Sequence, residues 1–214
     1  MHIVCADLEG IFTPEVWINV AEKTGIEKLR LTTRDIPDYD VLMKGRLALM
    51  KENGLTLADI QAVIATMDPL PGARNFLNWL RSTLQVVIVS DTFTEFAGAL
   101  MKKLDWPTLF CHDLTVDDTG TIVDYNLRQT RAKKKTLVAL KSLNFKTIGI
   151  GDSYNDIDMI KAADWGILFR PPKNVVEEFP DLTVTTTYEE LKEAIIQIVK
   201  PQFGRAGTKF TIDD

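Results

Sequence analysis

The chain has 214 residues, 45% of them hydrophobic and 26% charged, which is the balance of a globular protein able to bury roughly 70% of its extended-chain surface. Its 25 basic residues against 30 acidic ones leave a net charge of −5, which argues against wholesale nucleic-acid binding, since that needs a basic face. No apolar run approaches the roughly 20 residues that span a bilayer, and an acidic residue by position 7 is unlike a signal peptide, so the expectation is a cytoplasmic protein that handles small molecules without nucleic acid or membrane.

The apolar run Ile3-Val4-Cys5-Ala6 predicts a buried strand that delivers Asp7 and Glu9 to its C-terminal tip, ahead of Gly10. In open α/β sheets the carboxyl ends of the strands form the ligand crevice, and like charges so close call for a cation or a shared proton. From Pro14 to Gly25, and again from Tyr39 to Met67, the apolar period is helical, with Thr56 and Asp59 spaced as a capping box in which Asp replaces the usual Glu. No strand-like run interrupts this stretch, so it reads as a helical insertion bounded by Thr13-Pro14 and Pro69-Leu70-Pro71-Gly72.

An α/β rhythm then resumes, with a helix to Leu84, a strand Val86–Val89, a helix from Phe93 to Leu104 and a strand Thr108–Cys111. Leu114–Val116 and Ile122-Val123 flank Asp117-Asp118-Thr119-Gly120, a hairpin signal. A helix from about Lys134 to Leu143 leads to the strand Thr147–Ile150 and the acidic turn Gly151-Asp152-Ser153-Tyr154-Asn155-Asp156. Strands at Gly166–Phe169 and Leu182–Val184, a closing helix Tyr188–Val199 and a Gly-rich polar tail from Pro201 complete the chain. Strands alternating with helices predict a doubly wound parallel sheet, the core at 1–13 and 70–200, a small helical cap at 14–69 and a C-terminal tail at 201–214.

Asp7 and Glu9 on one strand tip and Asp152 to Asp156 on another read together as a Mg²⁺ site. Ser90-Asp91-Thr92 follows a strand and opens a helix, which suits a phosphate held by a hydroxyl and exposed backbone N–H groups; taken alone it is an ordinary helix N-cap. Of Lys133, Lys134 and Lys135, only one can point into such a crevice. Cys5 and Cys111 lie in apolar runs outside any CxxC spacing and are assigned to packing, as are Trp17, Trp79, Trp106 and Trp165. His2 and His112 stand at strand ends without ligand spacing and are given no catalytic part.

A strand-tip DxEG, a strand-tip SDT, a downstream Lys and a strand-tip GDSxND, in this order, resemble the haloacid dehalogenase superfamily. The helical insertion after the first motif, Pro14-Glu15 and the turn Gly-Asp-Ser-Tyr-Asn-Asp resemble its phosphoserine phosphatase branch, in particular the bifunctional phosphoserine phosphatase and homoserine phosphotransferase proteins. The resemblance implies a haloacid dehalogenase-like α/β fold and Mg²⁺-dependent phosphoryl transfer from O-phospho-L-serine through an aspartyl-phosphate, to water and to homoserine. Another small phosphomonoester is the alternative substrate. Asp7 would be the nucleophile and Glu9 the general acid and base. Asp7, Asp152 and the backbone carbonyl of Glu9 would hold Mg²⁺. Ser90, Asp91 by its N–H, and Lys133 would bind phosphate, Lys133 being preferred because it falls where the family's lysine falls. Glu15 and Arg46 match positions that grip the amino and carboxylate groups of the substrate, Asn155 would touch substrate or position Asp152, and Asp156 would stand behind the metal. Nothing in the sequence sets the oligomeric state, with which a homodimer is compatible.

Overall fold

The structure is a computed structural model that describes residues 1–33, 35–36 and 38–203. Seven strands form one sheet in the order β4-β3-β2-β1-β5-β6-β7, where β1 is His2–Ala6, β2 Gln85–Phe93, β3 Leu109–Val116, β4 Ile122–Asn126, β5 Lys146–Gly151, β6 Trp165–Phe169 and β7 Thr183–Thr185. All neighbours are parallel except β3 and β4, the hairpin the sequence signalled, so the fold is the expected doubly wound α/β sheet. The two short runs expected around Cys111 and Leu114 merge into the single strand β3.

β1 is central and buried throughout, as its unbroken apolar run requires. Its alternate residues feed opposite faces: Val4 and Ala6 join the main core, whereas Ile3 and Cys5 pack with Val87, Val89, Leu137 and Met159. On the second face lie α6 (Ala132–Ser142) and α7 (Ile157–Ala162), the latter unforeseen in the sequence. The main core is covered by α4 (Ala73–Thr83), α5 (Thr94–Lys103) and α9 (Tyr188–Phe203). A short α8 (Lys173–Glu178), also unforeseen, precedes β7. Helix α9 runs on past the expected stop at Val199 to Phe203, and the rest of the polar tail, 204–214, lies outside the described residues.

Among the described residues, three α-helices and a 3-10 turn (Glu27–Arg30) separate β1 from α4: α1 (Val16–Thr24), α2 (Tyr39–Glu52) and α3 (Leu57–Thr66). The Thr56 capping box forms with Asp59 in the acidic role. Asp38 caps α2 by accepting from the N–H groups of Asp40 and Val41. These helices do not close a core of their own, because Val20, Met43, Ile60 and Ile64 belong to the cluster that contains Val4 and Ile88. Among the described residues no helix is long and apolar enough to cross a membrane.

The sequence placed all four tryptophans in the core, and the structure corrects two of them. Trp106 is 65% exposed, since Asp105 and Trp106 both adopt left-handed backbone to turn the chain out of α5, and Trp165 lies at the sheet surface, 36% exposed. Cys111 is half-buried and not a core residue.

Candidate active site

Parallel pairing brings the acidic turns together. Ala6 sits opposite Ile150, and the Asp7 N–H donates to the Ile150 carbonyl, which sets Asp7 beside Gly151 and Asp152 at the carboxyl edge of the sheet. On the other flank Ala6 faces Ile88, so Ser90 emerges at the same edge. Carboxylate oxygens of Asp7, Asp152 and Asp156 all lie within 4.8 Å of one another.

Two glycines permit this approach. Gly10 has φ +76°, and a Cβ there would lie 2.5 Å from the Asp152 carboxyl carbon; a Cβ on Gly151 would lie 2.2 Å from the Asp156 Cβ. The glycine of the DxEG motif is therefore a steric requirement for stacking one acidic turn on the other, and Gly151 for folding the second turn so that Asp156 packs back against it.

Lys133 enters from the first turn of α6, 4% exposed, with Nζ 2.8 Å from Asp7 Oδ2 and 2.8 Å from Asp156 Oδ1. The surrounding Asp156, Asp7 and Asp91 carboxylates outweigh its burial and hold the ammonium well above its ordinary pKa. Asp156, fully buried, also accepts from the N–H groups of Asp152 and Ser153, so it shapes the turn as well as orienting the lysine. Burial pushes the Asp7 carboxyl up against the pull of Lys133, and Asp156 and Asp152 push the same way. One ammonium thus faces three clustered carboxylates. That leaves an excess of hard oxygen donors and negative charge, a set that fits a small divalent cation.

Glu9 turns away from this cluster. Its Oε2 accepts from the Val16 N–H at 2.8 Å, satisfying an orphan donor at the start of α1. Burial, and next the neighbouring Glu15, push its carboxyl up to about 8. Glu15 lines the same cleft wall. Arg46 on α2 is 7% exposed, with its guanidinium 4.5 Å from the Trp17 ring centroid and Nη2 bonded to the Leu31 carbonyl. Its Nε is buried without a hydrogen-bond partner among the described residues. Burial lowers its pKa to about 10, against the pull of Tyr39, Glu9 and Glu15.

The Ser90 hydroxyl is buried and accepts from the Thr92 N–H at 3.2 Å. Asp91, singled out only for its backbone N–H, brings its carboxylate into the crevice as well, 3.5 Å from Lys133 Nζ and 3.5 Å from His112 Nε2. Asn155 bonds Ser153 and Asp91, with Nδ2 3.3 Å from Asp91 Oδ2. Tyr39 reaches across from α2 to donate to the Asp91 carbonyl at 3.2 Å. Lys135 bonds Thr130 outside the cluster, in line with one lysine of the three pointing inward. His112, given no catalytic part by the sequence, nevertheless lines the crevice, and Tyr39 was not singled out. The period of two that puts His112 on the face of buried Leu114 is the signal that could have found the first, and the second carries none. Apart from the fully buried Asp156 and the outlying Lys135, these groups line one cleft of about 1070 Å³, whose wall includes Pro14, Trp17 and Leu42 from the inserted segment.

A family model for haloacid dehalogenase-like hydrolases matches residues 6–164. The chain belongs to that family. It is 56% identical over 197 residues to the phosphoserine phosphatase of Pseudomonas syringae pv. tomato, covering 92% of this chain and 83% of that protein. It is 54% identical over 197 residues to phosphoserine phosphatase ThrH of Pseudomonas aeruginosa, covering 92% and 96%. Within the haloacid dehalogenase-like hydrolases it therefore falls in the phosphoserine phosphatase branch. The fold is similar to that of a solved substrate-bound phosphoserine phosphatase complex, with a TM-score of 0.75, 21% identity, and coverage of 90% of this chain and 97% of that one.

Proposed function

We propose that this hydrolase transfers the phosphoryl group of O-phospho-L-serine, by way of an aspartyl-phosphate on Asp7, to water and to homoserine. The observation that carries the reading is the buried junction of Asp7 with Lys133, Asp152 and Asp156 at the floor of a cleft walled by Glu9, Glu15 and Arg46. The 54–56% identity to two proteins named phosphoserine phosphatase supports the choice of substrate.

Asp7 and Asp152, with the backbone carbonyl of Glu9, would hold Mg²⁺, whose charge would screen the carboxylates from an anionic substrate. An Asp7 carboxylate oxygen attacks phosphorus, the P–O bond to serine breaks, and Glu9 gives its proton to the departing alkoxide. Glu9 then takes a proton from water, or from the homoserine hydroxyl, whose oxygen attacks the acyl phosphate and frees Asp7. A carboxyl pushed up to about 8 suits both halves of this cycle. The Ser90 hydroxyl, the Asp91 N–H and Lys133 bind the phosphoryl oxygens, and one such donor is worth roughly 3 kcal/mol in the transition state. Arg46, whose Nε lacks a partner, is suited to the amino-acid carboxylate, and Glu15 to the ammonium. Residues 14–69 act as the cap that selects this substrate. Asn155 serves the phosphate site through Asp91.

Glu9, one carbon–carbon bond longer than the Asp that most superfamily phosphatases carry there, is the residue we assign to favouring homoserine over water. Incubation with phosphoserine and Mg²⁺, with and without homoserine, reads free phosphate and phosphohomoserine together. Asp7→Asn is expected to abolish both products, and phosphate release by that variant overturns the mechanism. Glu9→Asp is expected to shift the ratio towards free phosphate; an unchanged ratio removes Glu9 from that role. The cleft, at about 1070 Å³, is roomier than phosphoserine requires, which supports a second reading with another small phosphomonoester as substrate. A panel of phosphorylated metabolites separates the two.

A further inference from the structure

Lys133 has three N–H groups. Two are taken by Asp7 and Asp156 at 2.8 Å, and the third faces Asp91 Oδ2 across 3.5 Å, beyond the 2.7–3.2 Å of an ordinary N–H···O bond. The Asp91 carboxylate therefore stands next to the ammonium without capturing its last proton. Its other oxygen is at the same 3.5 Å from Nε2 of His112, an electrostatic contact longer than an ordinary hydrogen bond, made by a side chain only 2% exposed that spans the gap from β3.

The protonation of this imidazole follows from its other nitrogen. His112 Nδ1 accepts the backbone N–H of Arg128 at 3.1 Å, so in the neutral ring the proton resides on Nε2, directed at Asp91. Burial alone would raise the Asp91 carboxyl, yet Lys133 and then His112 hold it well below the usual carboxylate range. Asp91 is thus an anion placed beside a site meant for another anion. Left unanchored, it would close on Lys133 and compete with phosphate for the third N–H.

We propose that His112 is a positioning residue, which fixes the Asp91 carboxylate beside the Lys133 ammonium and keeps the third N–H of that lysine available for a phosphoryl oxygen. Asn155, donating to Asp91 Oδ2 at 3.3 Å, holds the same carboxylate from the β5 side. The inference rests on the phosphoryl-transfer reading above, and its test is chosen to fail separately from it.

Inorganic phosphate is the probe, titrated calorimetrically into the full-length protein with saturating Mg²⁺, in parallel with steady-state hydrolysis of phosphoserine. His112→Leu is expected to weaken phosphate binding about fivefold, the effect of losing a buried contact to a charged group that is longer than a full hydrogen bond, and to raise KM by a similar factor. Its kcat is expected to stay within about twofold. In an Asp91→Asn background, where no anion competes, the same His112→Leu change is expected to cost less than about twofold, so the cycle is strongly non-additive. His112→Gln, whose amide N–H can reach Asp91, is expected to restore most of the affinity. Unchanged phosphate affinity in His112→Leu, or an equal loss with Asp91 and with Asn at that position, overturns the proposal. So does a fall confined to thermal stability and kcat, which marks a merely structural histidine. Should His112→Leu not fold, His112→Asn completes the same cycle, its side-chain oxygen meeting the Arg128 N–H while its amide stops short of Asp91. A wild-type protein that binds phosphate but hydrolyses no phosphoserine overturns the substrate assignment alone.

Discussion

Replacing Gly10 with alanine probes whether the two acidic turns must touch. At φ +76° an alanine pays about 1–2 kcal/mol for left-handed backbone, which in a chain of this length lowers Tm by about 2–8 °C. The larger effect is on the site. The new methyl group would lie 2.5 Å from the Asp152 carboxyl carbon and 2.5 and 2.8 Å from its two oxygens, so Asp152 has to retreat by roughly 1 Å to reach van der Waals contact. A displacement of that size at a reacting centre costs on the order of 10²-fold in rate. Gly10→Ala is therefore expected to fold, to melt a few degrees early, and to lose about 10²-fold in magnesium-dependent phosphate release, with a raised Mg²⁺ requirement. Gly98→Ala, on the exposed side of α5 where an added Cβ meets nothing within 4 Å, is the control, expected to gain about 0.5–1 kcal/mol of stability without loss of turnover. Wild-type turnover and Mg²⁺ requirement in Gly10→Ala would refute the claim that the first and last motifs are stacked in contact.

Lys133→Met strands two buried carboxylates, and loss of one partner from such a cluster is expected to cost about 3–5 kcal/mol in chemical denaturation together with at least 10²-fold in turnover; a variant as stable as the wild type would contradict the buried pairing. Asp164 accepts from the Thr147 N–H and hydroxyl, and these donors outweigh its partial burial and lower its pKa. Because the folded value lies below the unfolded one, its contribution is present above about pH 4 and is lost as the pH falls through the lowered folded value, so the stability gap between wild type and Asp164→Asn is expected to be about 1 kcal/mol at pH 7 and to narrow progressively below about pH 4, read from urea midpoints. Burial pushes the Cys5 thiol up to about 12, whereas Cys111 is half-buried, with burial raising its thiol and the Thr94 hydroxyl pulling it back. An aromatic disulfide reagent at pH 8 is expected to titrate Cys111 in the native protein and Cys5 only after unfolding.

Much of the site was legible because its chemistry is carried by side chains next to strand ends, and strands announce themselves by apolar runs. Asp7, Ser90 and Asp152 each follow such a run, and the sheet places the ends of β1, β2 and β5 side by side. Lys133 needed the family resemblance, since three consecutive lysines look alike in sequence and only the left-handed turn at Arg131 and the start of α6 select one. The part Asp91 plays was half seen. The sequence read its N–H as one at a helix start, whereas β2 runs on through it to Phe93 and α5 begins only at Thr94, and the reach of its carboxylate to His112, Lys133 and Asn155 depends on three other segments. Trp106 went wrong for the opposite reason: an aromatic beside an apolar helix reads as core, and a left-handed turn sends it to solvent.

By itself the amino-acid order determined the elements whose pattern is local: the buried first strand, the capping box at Thr56, the hairpin, and the acidic and hydroxyl-bearing tips. Only the tertiary structure decided which distant charges meet. Burial in a shared interior makes each carboxylate depend on every other charge within a few ångströms, so the state of Asp7, Glu9 or Asp91 is a property of the packed neighbourhood and not of the residue.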